Sequence, residues 1–214
     1  TDSNFLASVG RSIAMCIIPI IVTIVIVLLA LFVTAIYFPK LEKYVQIICM
    51  IPYTIQGVIL SVSILSLYVG SSSILSNRLV MLMGAYCIVI LPYIYQGIRN
   101  GMRAVNMPTL IEAAEMLGAS KIYAFFRVVV PNILSAIIVS SLLAVGIIFG
   151  DYVLIRNLAG TSAPNMQIFL YQTMKSDSTK ASAVFVVIMF VTFVITAIVL
   201  FTKSREAKGK THRK

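Results

Sequence analysis

The chain has 214 residues, of which 60% are hydrophobic and only 11% are charged. A soluble domain is roughly 45–50% apolar and about 25% charged, so this composition excludes an ordinary soluble fold and indicates an all-α integral membrane protein. The net charge of +10 does not indicate a nucleic-acid partner, because the basic residues lie between apolar segments and no aromatic-plus-basic binding motif accompanies them.

Five apolar segments are long enough to cross a bilayer, which requires about 20 residues of helix. Their interiors contain no Lys, Arg, Asp or Glu, as expected for helices that face lipid. The five predicted spans are Ser12–Tyr37, Tyr44–Val69, Leu79–Gly97, Asn132–Gly150 and Ala181–Thr202.

The Lys and Arg residues predict the orientation of these spans. They are concentrated in the loops after the first and third spans and in the tail after the fifth, and the richer side is cytoplasmic. We therefore expect a transmembrane domain over residues 1–202, with a cytoplasmic loop at 99–131, and a basic cytoplasmic tail over 203–214. Five spans leave the N-terminus outside and the chain starts at Thr1, so we expect that a sixth, N-terminal span is missing from this sequence.

Two spans contain a proline close to an amide side chain. Proline frees a backbone carbonyl and bends a helix, so these residues could line a solute pathway. Hydrogen bonding between helices is the alternative, and the absence of an ionisable group beside the amides favours it. The candidate pathway-lining residues, including two at the external mouth of the fourth span, are Pro52, Gln56, Pro92, Gln96, Asp151 and Tyr152.

The loop between the third and fourth spans has the pattern of two short helices. Thr109 and Glu112 have the spacing of a capping box, which predicts the start of the first helix. Gly118 predicts its end in a left-handed turn, and Ser120 can cap a second helix over Lys121–Val130. The predicted apolar face of the first helix consists of Leu110, Ile111, Ala113, Ala114 and Leu117.

The small side chains of Ala113 and Ala114 would allow another protein to approach the helix backbone closely. A helix lying on the membrane surface is the alternative, and such helices usually carry a polar face rich in Lys and Arg. Here Glu112 and Glu115 would face an anionic leaflet. A protein partner therefore explains this loop better.

The loop also contains a longer pattern that ends at Pro131, a residue that can open the fourth span. It resembles the EAA signature of binding-protein-dependent ABC importer permeases, EAA-x3-G-x9-I-x-L-P, and keeps apolar residues at its two departures, Val128 and Val130. The order of the spans and the sequence Leu91-Pro92-Tyr93 are similar to the type I permease domain, which usually has at least one more N-terminal span. The matching positions are Glu112, Ala113, Ala114, Gly118, Val128, Val130 and Pro131.

The resemblance implies a type I permease bundle whose loop is a coupling helix docked on a cytoplasmic ATPase subunit. It also implies a second permease, either a copy or a different chain, an external solute-binding protein, and a bacterial plasma membrane location. The chain itself would hold no catalytic site, cofactor or metal, because ATP and Mg²⁺ belong to the ATPase. The residues implied in ATPase coupling are Thr109, Leu110, Glu112, Ala113, Ala114, Leu117, Gly118, Val128 and Pro131.

The prediction of the solute rests on fewer residues than the prediction of the family. Residues 149–153 resemble the spermidine/putrescine subgroup, and Asp151 and Asp177 would suit a cation; aminoethylphosphonate, ferric iron and thiamine remain alternatives. An intramembrane enzyme is disfavoured, because the single histidine, His212, lies in the tail and no His-Glu-x-x-His motif is present. A passive channel is a further alternative, which an attached ATPase would exclude.

Overall fold

The structure is a computed structural model that describes residues 2–55, 57–68, 77–160 and 166–176, with isolated residues between 179 and 197. Within these ranges the regular structure is helical, as predicted. A 3-10 turn, Pro39–Leu41, precedes the second helix, and a π turn, Phe125–Val129, follows the sixth. The α-helices are α1 (Asp2–Ile36), α2 (Glu42–Thr54), α3 (Gly57–Tyr68), α4 (Arg78–Ala104), α5 (Met107–Met116), α6 (Lys121–Ala124), α7 (Val130–Asn132), α8 (Leu134–Gly150), α9 (Val153–Leu158) and α10 (Met166–Ser176).

Helix α4 is the central element of the bundle. It packs against α1, α2 and α8, and a line of its residues at four-residue spacing is completely or almost completely buried. Such spacing places side chains above one another on a single helix face. The buried line consists of Leu82, Tyr86, Ile90, Ile94 and Ile98.

The first and third predicted spans are confirmed as long apolar helices. Residues Met15–Ile36 of α1 and Arg78–Ala104 of α4 are long and apolar enough to cross a membrane. Helix α1 buries Val27 and Leu31 and exposes Ile17 and Ile21. A helix that is apolar on both its buried and its exposed sides is typical of a lipid-facing span.

The second predicted span, Tyr44–Val69, is not one straight helix. The chain bends by 98° between Pro39–Thr54 and Gly57–Tyr68. Pro52 removes a backbone donor from the last turn of α2, and Ile55 then adopts an extended conformation with φ −90° and ψ 115°. This pair of helices is therefore a broken span or a re-entrant segment.

The fourth predicted span corresponds to α8, which has 17 residues and is about 26 Å long at 1.5 Å per residue. It follows a 65° bend after Lys121–Asn132, so the span begins at Leu134 and not at Asn132. The fifth predicted span lies largely outside the described residues. The described part of the chain therefore supports up to four spans if each bent pair counts as one, and the count of five is not established.

Helix α9 is short but well anchored. It packs against α3 and α4, burying Leu154 and Ile155, and the Asn157 side-chain amide donates to the Ser61 hydroxyl at 2.8 Å. The end of α8 is thereby tied to α3, which lies beyond the break in the second predicted span.

Candidate functional site

The segment between α4 and α8, residues 105–133 and here called the connector, begins with a two-residue turn. Asn106 has φ 50° and ψ 62°, a left-handed conformation that asparagine tolerates better than most residues. Helix α5 then starts at Met107, and the Leu110 amide donates to the Asn106 carbonyl at 3.3 Å. The connector therefore continues directly from the central helix of the bundle.

The predicted capping box between Thr109 and Glu112 is not formed. Helix α5 begins two residues before Thr109 and its first turn has no side-chain cap. Pro108 explains the earlier start, because proline is favoured in the first turn of a helix, where its missing N–H costs no hydrogen bond. Thr109 and Glu112 are instead exposed on the helix surface.

Helix α5 divides its apolar residues between two surfaces. Met107, Ile111 and Ala114 are buried, at a spacing that defines one helix face, and α5 packs mainly against α6 and the π turn that follows it. Ala113 is exposed and Leu117 is 89% exposed. The predicted single apolar face is therefore wrong: Ala114 anchors the helix inward, whereas Ala113 and Leu117 face outward.

The turn at Gly118 is confirmed as left-handed, with φ +84°. The Gly118 amide donates to the Glu115 carbonyl at 2.9 Å, and the Ala119 amide donates to the Ala114 carbonyl at 3.0 Å. These two bonds form a Schellman motif, which ends a helix and favours glycine at the left-handed position. An ion pair of 3.8 Å between Glu115 and Lys121 spans the same turn.

The second arm of the connector is only partly the predicted helix Lys121–Val130. Ser120 caps α6 as predicted, accepting from the Tyr123 amide at 3.3 Å, but α6 gives way after four residues to the π turn, in which the Val130 amide donates to the Phe125 carbonyl. Pro131 is the second residue of the short helix α7 and does not open the fourth span. The extra residue of a π turn resets the helix face, so Phe125 and Val129 are both buried.

Aromatic contacts tie the second arm to α1. The Phe125 ring is completely buried, and its centroid lies 4.9 Å from that of Phe32 on α1. Phe126 contacts both rings, at 5.3 Å and 6.1 Å. Val128 is half-buried and packs against the same core. The connector is thus attached to α1 as well as to α4 and α8.

The predicted pathway-lining residues that the structure describes lie on α2, on α4 and directly after α8. Pro92 is buried in α4 and Pro52 is half-buried near the end of α2, whereas Gln96 is exposed on α4. Tyr152 follows α8, and its ring centroid lies 5.1 Å from that of Tyr171 in α10. Gln56 and Asp177 lie outside the described residues.

Asp151 serves as a cap for α9. Its Oδ2 accepts from the Leu154 and Ile155 amides at 3.1 and 3.4 Å and from the Tyr86 hydroxyl at 3.3 Å. Burial raises the pKa of this carboxyl above its usual value, although the hydrogen bonds from Leu154, Ile155 and Tyr86 oppose the shift. These contacts give Asp151 a structural role at the external end predicted for α8.

A charged cluster at the connector end of α4 was not predicted. Glu42 Oε1 accepts from Arg99 Nη2 and Nε at 2.7 and 2.8 Å, and Arg103 Nη2 approaches it at 3.5 Å. The cluster joins the first residue of α2 to the last turns of α4. Its sequence signal was the pair of arginines four residues apart, which places them on one helix face.

A close crossing of α4 and α8 was also missed, although the sequence carries its signal in Gly97-x3-Gly101, a spacing that favours tight packing in membranes. A Cβ atom on Gly101 would lie 2.5 Å from the Ala136 Cβ, and one on Gly97 would overlap Ser140. Beside this crossing is a groove of about 390 Å³. It is lined by Tyr93, Gln96, Gly97, Asn100, Gly101, Ala104, Ala136, Val139, Ser140 and Leu143.

Residues 41–204 match the model of a protein family described as binding-protein-dependent transport system inner membrane component. This match covers more than half of the chain. The chain belongs to this family. No curated protein matches it.

As a permease component of a binding-protein-dependent transport system, the chain is an inner-membrane transport protein, and its family is not an enzyme family. Membership implies partners of two kinds, a solute-binding protein and an ATPase. The connector described above lies entirely within the matched residues. The family match does not test the finer prediction that the chain belongs to a spermidine/putrescine subgroup.

Proposed function

We propose that this permease forms the solute pathway of an ATP-driven importer and receives the movement of a cytoplasmic ATPase subunit through the connector. The observation that carries the proposal is the apolar tip of α5. Met116 and Leu117 are both 89% exposed, next to the exposed acids Glu112 and Glu115. Large apolar side chains that are this exposed outside the spans indicate a surface that binds a protein partner.

The way the tip is held supports a mechanical role. The Schellman turn at Gly118 fixes its backbone, and the buried face of α5, with Ile111 and Ala114, packs on the second arm of the connector. Phe125 holds the second arm on α1. A partner that moves the tip would therefore move the helices to which it is attached, which is how a local contact can bias a bundle with two packing states.

Individual roles follow from this arrangement. Ala113 is exposed, so it offers the close approach that we predicted for the alanine pair, whereas Ala114 anchors the helix. Glu112 is exposed and makes no ion pair within the described ranges. We expect it to pair with a basic residue of the ATPase. ATP and Mg²⁺ would be bound by that subunit.

The test is a change at the tip that leaves the fold intact. Leu117→Asp places a charge on an exposed side chain, so insertion into the membrane should be normal while ATPase binding or ATP-driven import falls at least tenfold, because an uncompensated charge enters the interface. Gly118→Asp should uncouple in the same way, since a side chain strains the left-handed turn. Both are measured as ATP hydrolysis and import in proteoliposomes.

Leu117→Met is the matched control, because it preserves an apolar side chain of similar volume and should retain coupling. Import at the normal rate by Leu117→Asp and Gly118→Asp would refute the assignment of the connector. Purification of the unmodified permease without any ATPase would instead favour the passive channel.

The polyamine solute stays a prediction from the resemblance. Of the two acids that supported a cation, Asp151 is used as a helix cap and Asp177 lies outside the described residues. Uptake of labelled spermidine by the reconstituted complex with its binding protein tests this prediction, and uptake of aminoethylphosphonate, ferric iron or thiamine tests the alternatives.

A further inference from the structure

We infer that the groove between α4 and α8 is a solute-contact site for a small neutral or anionic solute that presents oxygen acceptors. The inference rests on the proposed function, because it takes the permease to form the pathway. It concerns the Tyr93 hydroxyl and the Gln96 and Asn100 amides, which lie on one side of α4 at the crossing with α8. Only Gln96 among these was predicted to line a pathway.

The groove has the size and shape of a small-molecule site. Its volume of about 390 Å³ lies within the roughly 300–1,000 Å³ typical of ligand pockets. The close contacts of Gly97 with Ser140 and of Gly101 with Ala136 form its floor. The longer side chains Tyr93, Gln96 and Leu143 stand beside this floor.

The polarity of the groove argues against lipid as its occupant. Gln96 is exposed near the end of the third predicted span, where an amide facing hydrocarbon without a partner is costly, and Asn100 lies one turn further along α4. Within the described residues the Gln96 amide donates one hydrogen bond, a weak one to the Met50 sulfur at 3.5 Å. Both amides can therefore donate to a solute in a hydrated pathway.

The charges around the groove argue against a cation. The ten lining residues include no charged side chain. Arg99 and Arg103 lie on the same turns of α4 and share the single carboxylate of Glu42, which leaves this end of the helix with a net positive charge. The amide and hydroxyl side chains of the groove can accept as well as donate, so the positive charge at this end of α4 is what disfavours a polyamine and favours a solute with carbonyl or oxyanion groups.

The test measures how thiol reagents of opposite charge react in the groove. Gln96→Cys and Asn100→Cys are made in a chain whose native cysteines, Cys16, Cys49 and Cys87, are replaced by alanine, and the whole transporter is purified in lipid nanodiscs. The probes are sulfonatoethyl methanethiosulfonate, an oxyanion, and trimethylammonioethyl methanethiosulfonate, a cation. Each rate is divided by the rate of the same reagent with free 2-mercaptoethanol.

Both groove cysteines should react, and the corrected rate of the sulfonate should exceed that of the ammonium about threefold or more, because Arg99 and Arg103 attract the sulfonate and repel the ammonium in a partly hydrated site. Adding Asn100→Leu to Gln96→Cys should reduce this preference, since the sulfonate loses an amide donor. Ile88→Cys is the matched control: it is exposed on α4 away from the groove and should resist both reagents.

Three results would overturn the inference: unreactive cysteines at both groove positions, a preference for the ammonium, or a sulfonate preference unchanged by Asn100→Leu. Unreactive cysteines would show that another protein chain or lipid fills the groove. Labelling is measured on the permease itself. If the groove cysteines stay unlabelled while the ATPase is attached, that result contradicts the inference about the groove and not the proposed function. Loss of the ATPase from the unmodified complex would concern the proposed function.

Discussion

Two arginines of α4 share one carboxylate, that of Glu42. The Arg99 guanidinium lies 2.7 Å from Glu42 with its side chain only 14% exposed, whereas Arg103 lies 3.5 Å away and is 63% exposed. Hydrogen bonds between charged groups that are shielded from water are stronger than exposed ion pairs. The first arginine should therefore hold α2 on α4, and the second should contribute little.

Two single substitutions separate these roles. Arg99→Gln should lower the free energy of unfolding by about 1–3 kcal/mol, because it leaves Glu42 half-buried without its short partner, and Arg103→Gln should lower it by less than about 1 kcal/mol. Thermal unfolding in detergent, followed by circular dichroism, measures both. Equal losses would show that the two arginines pair equally in solution.

A second residue-scale prediction concerns the pH dependence at Asp151. Its pKa is raised in the folded protein, with burial as the main cause, so the folded state holds a proton more tightly than the unfolded chain. Stability from this residue should therefore increase as the pH falls from neutral toward about 4. Asp151→Asn keeps an oxygen that can accept from the Leu154 amide but does not titrate.

The quantity to measure is the difference in melting temperature between the unmodified permease and Asp151→Asn, at pH 7.5 and pH 4.5. We expect the difference to shift in favour of the unmodified protein at the lower pH. A difference that stays constant, or that shifts the other way, would show that the carboxyl does not have a raised pKa.

At the scale of helices, the contact between α4 and α8 depends on glycine. Gly101 faces Ala136 so closely that a Cβ atom would lie 2.5 Å from the alanine Cβ, far inside ordinary contact. Within a membrane the hydrophobic effect does not drive helices together, so close packing of this kind is a main source of stability for a helix pair. The same approach creates the groove, so packing and the proposed solute contact depend on the same two residues.

Gly101→Ala should therefore destabilise the permease by about 1–3 kcal/mol through overpacking. Gly84→Ala is its matched control on the same helix, because a Cβ atom there meets nothing within 4 Å, and alanine should be neutral or stabilise the helix by up to about 1 kcal/mol. Unfolding in mixed detergent micelles compares the two. A neutral Gly101→Ala would mean that the two helices can separate at no cost.

At the scale of the whole molecule, the connector is attached at three places. It continues from α4 through the left-handed turn at Asn106, contacts α1 through Phe125 and enters α8 through a 65° bend. Since α4 is packed on α1, α2 and α8, a force on the tip reaches most of the described bundle. The short turn at Asn106 is the place where this connection can be lengthened.

Inserting two glycines after Asn106 should leave the ATPase bound and hydrolysing ATP while import falls at least tenfold, because a flexible turn no longer transmits the displacement of α5 to α4. Asn106→Gly preserves both the length and the left-handed conformation and should import normally. Binding, hydrolysis and import are measured on the same proteoliposomes. Normal import by the insertion variant would show that α4 is moved by another route.

The sequence by itself determined the membrane class, two long spans and the Gly118 turn. These follow from local properties: continuous apolar runs, and a backbone conformation that glycine adopts without steric cost. The EAA spacing also indicated the family that the comparison shows. Tertiary structure decided what depends on neighbours distant in sequence. Examples are the break in the second predicted span, the inward turn of Ala114, the π turn that buries Phe125, the use of Asp151 as a cap, and the groove. Burial and hydrogen-bond partners belong to pairs of elements, so no local pattern in one element could specify them.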